Sequence, residues 1–258
     1  MTPPTRVIKV GGRPQLDPTL AATLAAAHSA APGSLVVVHG GGDEVSTLQK
    51  LYGVVARFSG GRRVTSALDL EIIRMALSGS ANKRLVSALN DAGVPAVGLS
   101  GEDAGLLLAT PADRAQFGFV GTPTTVNVAL IRHLFDGGYL PVLSPVSRSD
   151  DERAGATLNV NGDDAASAIA VALAAEELLL VSDVEGVRVQ GRPVARLDAD
   201  EARQLMDDGT AAGGMAAKIQ AALAALEGGV GRVRISDIAA IGHADRGTVL
   251  TRVGSVCA

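Results

Sequence analysis

Tryptophan is absent, cysteine occurs once, and lysine occurs four times against nineteen arginines; each scarcity narrows what the chain can be. Aromatic residues make up 2% of the sequence and hydrophobic residues 47%, so a buried core must be built from Ala, Val, Leu and Ile. The single cysteine, Cys257, excludes an internal disulfide and a cysteine-based metal site. His28, His39, His133 and His243 show no short metal-ligand spacing, so no protein-bound metal is expected. No Gly-Lys dipeptide occurs, which excludes the Walker phosphate loop, and the protein-kinase motif set is missing. The net charge is −4, without a basic block or aromatic-basic interleaving, which argues against nucleic-acid binding. No apolar run approaches the length of a membrane span. A strand expected from Arg6 or Val7 leaves no room for a signal peptide, so a soluble cytoplasmic protein is expected.

What is present alternates. Short β-branched runs at 6–10, 35–38, 96–99, 140–143, 178–181 and 232–235 read as strands. Ala/Leu-rich stretches at 17–27, 66–77, 82–92, 126–136, 164–175 and 215–227 read as helices. Fully apolar strands separated by helices argue for an α/β protein with a mainly parallel sheet covered on both faces. Ser66 followed by Asp69 has the spacing of a capping box. The last helix carries Met215, Ile219, Leu223 and Leu226 on one face and stops at Gly228-Gly229. No linker or internal repeat is evident. The polar stretch 147–155 divides one domain, 1–258, into an N-terminal lobe of about 1–157 and a C-terminal lobe of about 158–258.

Two of the four lysines sit beside glycines: Lys9 before Gly11-Gly12, and Lys218 after Gly213-Gly214. A third glycine run, Gly40-Gly41-Gly42, follows the strand ending near His39. Close backbone approach together with compact ammonium groups is what a phosphate site needs. Lys218 lies in the first turns of its helix, where side chains lean toward the N-terminus and its free N–H groups. His39, between an apolar strand and three glycines, reads as a turn residue rather than a base. Arg63 could fork onto a carboxylate, with a solvated arginine as the alternative. Asp163 and Asp164 suit the start of a helix, whereas Asn159 and Asn161, projecting to one side of an extended segment, are harder to read as caps alone.

These segments, in order over almost the whole chain, closely resemble the amino-acid kinase superfamily and within it the acetylglutamate kinases. The resemblance rests on 7–12, 36–42, 61–65, Ala81-Asn82-Lys83, 98–103, 138–144, 159–165, 182–187 and 214–218. It implies a three-layer αβα sandwich with an open, mainly parallel sheet of about eight strands, and a homodimer built through the N-terminal lobe. It also implies transfer of the ATP γ-phosphoryl group to the γ-carboxylate of N-acetyl-L-glutamate, the second step of arginine biosynthesis. By the same matches, Lys9 and Lys218 are the transition-state lysines and Asp163 the carboxylate that orients them. Gly11, Gly12, Gly41 and Gly42 would offer backbone N–H groups to phosphate. Gly41, Gly42, Arg63 and Asn159 would hold the acyl amino acid. Ser182, Asp183, Val184, Glu185, Gly186 and Val187, with Gly213, Gly214 and Met215, resemble the nucleotide-binding segments, with Mg²⁺ carried by ATP.

Gly162, where many acetylglutamate kinases have Ala, keeps open a kinase acting on carrier-linked aminoadipate. A reading of another class is a regulator on a decayed kinase fold, against which the retention of both lysines and Asp163 argues.

Overall fold

The computed structural model describes residues 4–59, 62–151 and 157–252. One eight-stranded sheet runs through it. Its order is Arg196–Asp198, Thr248–Thr251, Arg232–Ser236, Glu177–Val181, Arg6–Val10, Leu35–His39, Leu140–Ser144 and Ala96–Ser100. Every neighbouring pair is parallel except Arg232–Ser236 with Thr248–Thr251. The αβα sandwich expected from the sequence is therefore present.

The sheet has two buried faces because alternate side chains along its central strands enter different cores. Val7, Val36, Val38, Leu178 and Leu180 pack with Ala165 and Ile169 of the helix Gly162–Ala172 and with Ile219 and Leu223 of the helix Gly213–Glu227. Ile8, Val10, Val37, Leu179 and Val181 pack on the other face with Leu20, Leu24, Leu85 and Leu89. Lys9 shares the parity of Val7, and so points toward the start of the helix Gly162–Ala172. That parity places a charged residue at the active face of an otherwise apolar strand.

The first strand is also where strand order turns around. The segments that follow it in the N-terminal half lie on one side, and Glu177–Val181 with the rest of the C-terminal half lies on the other. In open α/β sheets such a switch point opens a crevice beyond the carboxyl ends of the strands.

Several expectations need correction. The stretches 66–77 and 82–92 are not separate helices. Ala67–Ile73 and Asn82–Asp91 are joined without a break by a π-helical segment, Arg74–Ala81. The segments Leu107–Pro111, Val120–Val126, Val146–Ser149 and Thr157–Val160 close into a small four-stranded ring that the sequence reading did not anticipate. Within it Val146–Ser149 and Thr157–Val160, which flank the polar stretch 147–155, pair antiparallel, with 152–156 outside the described residues.

Candidate active site

The crevice gathers three glycine-bearing turns and three helix starts. Gly11 continues the first strand and donates its N–H to the Val181 carbonyl at 3.1 Å. Gly40 donates to the Val10 carbonyl at 2.9 Å. A Cβ at Gly12 would stand 3.4 Å from the Gly41 Cα and the Gly42 nitrogen, so the two loops touch through bare backbone. Gly41 takes φ +150°, and a Cβ there would meet Leu77 Cδ2 at 2.7 Å. The helices Gly42–Leu51, Gly162–Ala172 and Gly213–Glu227 all begin at this crevice, bringing the partial positive charge of their N-termini with them.

Lys9, Asp163 and Lys218 meet at its floor. Lys9 Nζ lies 2.9 Å from Asp163 Oδ1, and Lys218 Nζ lies 3.2 Å from both carboxylate oxygens. Lys9 is 6% exposed and Asp163 5%. Burial alone would raise the Asp163 carboxyl, but the two ammonium groups outweigh it and hold it below the usual carboxylate range. Burial, with repulsion from Lys9, lowers Lys218 to about 8 against the pull of Asp163. Two cations sharing one carboxylate leave a net positive charge in a nearly dry pocket, an arrangement that holds an anion.

Lys9, Gly12 and Gly42 separate two clefts. One, of about 400 Å³, is lined by Gly11, Gly12, Arg13, Asp43, Ser182, Asp183, Val184, Gly214, Met215 and Lys218. The other, of about 230 Å³, is lined by Gly40, Gly41, Arg62, Arg63, Asn159, Asn161 and Asp163, with Phe58, Ile73 and Leu77 as apolar walls. A group held in each would meet at Lys9.

Arg63 reaches its place through a relay. Ser66 and Asp69 form the capping box expected from the sequence. Asp69 also accepts from the Gln49 amide, whose oxygen accepts from Arg63 Nη1. Arg63 Nη2 donates to the Gly42 carbonyl at 3.1 Å and to Ser46 Oγ at 3.0 Å, and the guanidinium stacks on Phe58. Asn159 Nδ2 donates to Thr65 Oγ1 at 3.1 Å.

Other residues fall differently from expectation. Asn161 is a helix cap, its side chain accepting from the Asp163 N–H at 2.7 Å. Arg62, to which the sequence reading gave no role, is half-buried, lines the second cleft and pairs with Asp164 at 3.3 Å. Asp164 is thus more than a helix-dipole residue, and burial raises its carboxyl despite that arginine. Glu185, Gly186, Val187 and Gly213 do not line the larger cleft. The Glu185 carbonyl accepts from Ser236 Oγ, Gly186 lies against Thr248, and Val187 is core, donating its N–H to Thr248 Oγ1. His39 is fully buried and lowered to about 4 by that burial; Nδ1 donates to the Gly40 carbonyl and Nε2 accepts from Asn82. It is neutral and fully engaged, as a turn residue rather than a base.

Sequence reasoning missed Gln15. Its amide donates to the carbonyls of both Gly11 at 3.3 Å and Gly40 at 2.9 Å, tying two glycine turns together. A lone glutamine after Arg13-Pro14 carries no pattern that announces this.

Known proteins resemble this chain in sequence and fold. A family model described as the amino acid kinase family matches residues 4–237. An acetylglutamate kinase of Chloroflexus aurantiacus is 44% identical over 95% of this chain and 96% of its own length. One from Paracoccus denitrificans is 46% identical over 78% of this chain and 66% of its own length. Among solved structures, smu.665 from Streptococcus mutans UA159 superposes with a TM-score of 0.85 at 30% identity, covering 96% of this chain and 98% of that one. With a match across nine-tenths of its length, the chain belongs to the amino acid kinase family.

Proposed function

We propose that the chain transfers the γ-phosphoryl group of ATP to the γ-carboxylate of N-acetyl-L-glutamate, forming N-acetyl-L-glutamyl 5-phosphate and ADP in arginine biosynthesis. The observation that carries the reading is the Lys9–Asp163–Lys218 cluster on the wall between two clefts. The acetylglutamate kinases at 40–46% identity support the substrate.

The N-terminal lobe, about 1–157, contributes most of the acyl amino acid cleft, and both lobes share the nucleotide cleft, to which the C-terminal lobe, about 158–258, brings Ser182, Asp183, Val184, Gly214, Met215 and Lys218. Ser182, Asp183 and Val184, with Gly214 and Met215, border the nucleotide. Arg63 and Asn159 orient the α-carboxylate and acetamido group. A carboxylate oxygen attacks the γ-phosphorus and the bond to the β-phosphate oxygen breaks, leaving ADP with its charge. The acceptor carboxylate, with a reference pKa of about 4.3, is already ionised, so no general base is required. What limits the reaction is anion repulsion. Lys9, Lys218 and the N–H groups of Gly12, Gly41 and Gly42 relieve it as charge spreads over the transferring oxygens, whereas the Gly11 N–H, expected to do the same, is taken up by the Val181 carbonyl. Asp163 holds the two ammonium groups in register.

No group of three or more His, Cys, Asp or Glu positioned to hold a metal occurs among the described residues, and Asp43 and Asp183 are both engaged by Arg13. Asp43 and Asp183, which line the larger cleft, would be the carboxylates beside Mg²⁺ brought by the nucleotide, a hard cation that keeps much of its water. When bound it neutralises phosphate charge. No helix among the described residues is long and apolar enough to cross a membrane; a cytoplasmic location is proposed together with the activity. Leu68 and Met75, exposed on the helical stretch 67–91, support a homodimer built through this lobe.

The test is ATP-dependent formation of an acyl hydroxamate when hydroxylamine traps the product. Product with N-acetyl-L-glutamate and none with free L-glutamate is expected. Product with neither, from folded protein that binds ATP, would overturn the reading in favour of a carrier-linked acceptor or a regulator.

A further inference from the structure

We infer that Arg13 is a clamp for the non-transferring phosphates of the nucleotide, held over the cleft by one carboxylate from each side of it; this rests on the phosphoryl-transfer reading above. Arg13 follows Gly11-Gly12 directly and lines the larger cleft with Lys9 and Lys218. Its Nε lies 3.4 Å from Asp43 Oδ2 and its Nη1 lies 3.1 Å from Asp183 Oδ2. Asp43 belongs to the helix that follows the strand Leu35–His39, whereas Asp183 follows Glu177–Val181 on the opposite side of the first strand. The guanidinium therefore spans the mouth of the crevice.

Its backbone is anchored while its side chain is not buried. Pro14 is buried, and Gln15 ties the turn to the Gly11 and Gly40 carbonyls. The Arg13 side chain is 71% exposed. Ion pairs this open add little to folding stability, so a purely structural role explains the arrangement poorly. Nucleotide binding explains it better. The charged side chains lining the cleft are Lys9, Arg13 and Lys218 against Asp43 and Asp183. Without Arg13, two carboxylates would face an incoming polyphosphate with no cation beside them at the mouth.

The chemistry of the group agrees. Nε and Nη1 are directed by the carboxylates, and among the described residues Nη2 makes no hydrogen bond. The remaining N–H groups lie in one plane with those two contacts, a fork suited to phosphate oxygens. The floor uses lysines, whose point charges can follow a moving phosphoryl group, and the rim uses an arginine, whose fork suits phosphates that stay in place.

The experiment is calorimetric titration of the full chain with Mg·ATP, alongside steady-state kinetics, for wild type, Arg13→Ala and Arg13→Lys. Loss of one charge-assisted fork is expected to raise the Kd for ATP about tenfold in Arg13→Ala, with partial recovery in Arg13→Lys. The KM for N-acetyl-L-glutamate should stay the same. Unchanged ATP affinity in Arg13→Ala would overturn the inference. So would an equal rise in both substrates' constants, since that marks a general disturbance of the site. A wild-type chain that binds no ATP would instead overturn the phosphoryl-transfer reading, and the clamp with it.

Discussion

Lys218 is the residue whose chemistry is most exposed to its surroundings. Burial and the neighbouring Lys9 bring it to about 8, and its cationic form is the one that can stabilise a transferring phosphoryl group. Turnover should therefore fall as pH rises through about 8. The stability effect has the opposite sign. Between about 8 and the model-peptide value of about 10.4 the unfolded chain binds the extra proton, so this group favours folding more as pH rises. Asp163, held low, contributes stability that is present above its unfolded value and lost as pH falls through the folded one. A pH profile of kcat measured beside thermal midpoints separates the two: kcat should drop above pH 8 without a matching drop in Tm. Parallel losses would mean unfolding rather than deprotonation. Lys9→Ala and Lys218→Ala should each lower kcat by roughly 10²–10³, the range for removing one such donor. Asp163→Asn, leaving the ammonium groups unshielded from one another, should also move the alkaline limb to lower pH.

At the scale of elements, the helix cap and the substrate pocket are one structure. The Ser66–Asp69 box fixes the start of the stretch 67–91, and the same aspartate steers Gln49 and through it Arg63. Gln49→Ala should raise the KM for N-acetyl-L-glutamate while leaving that for ATP unchanged, in kinetics with each substrate varied in turn. Ser66→Ala should cost about 1 kcal/mol, the usual value of an N-cap, measured by denaturant unfolding. The capping box was legible because its signature is local. The relay was not, since Gln49 is remote in sequence from both its partners.

Strand limits show a related division. The apolar bodies of the central strands were legible to within a residue, but His39, Ser100, Ser144 and Ser236 each extend a strand beyond its apolar run. Pairing continues there although hydrophobicity does not. The small ring was harder still, because Val120–Val126 carries Thr, Gly and Pro and reads as a turn-rich segment. The π-helical segment Arg74–Ala81 has no periodicity of its own to distinguish it from the helices on either side. It sets Leu77 against Gly41, so one wall of the second cleft depends on an irregularity that composition does not reveal. Arg62 and Arg63 are adjacent on one strand and line the same cleft, yet one pairs with Asp164 and the other with Gln49, Ser46 and Phe58; only the structure says which takes which.

For the whole molecule, the site lies where the two halves of one sheet diverge, so nucleotide bound between them should stabilise both. At a hundredfold excess over Kd, ATP should add about 2.7 kcal/mol, which corresponds to a rise of several degrees in Tm for a chain of this size. Differential scanning fluorimetry with and without Mg·ATP measures it. Sedimentation should show a dimer, and Met75→Glu should shift it toward monomer if the exposed face of 67–91 is the contact.

The shortage of lysine has a practical side. Of the four, Lys50 and Lys83 lie outside the two clefts, while Lys218 is about half uncharged near pH 8. An uncharged amine is a nucleophile, so a small electrophile such as cyanate would find a reactive handle inside the site. Carbamylation there would silence the enzyme, ATP would shield it, and the mass of one peptide would report how much of the preparation is active.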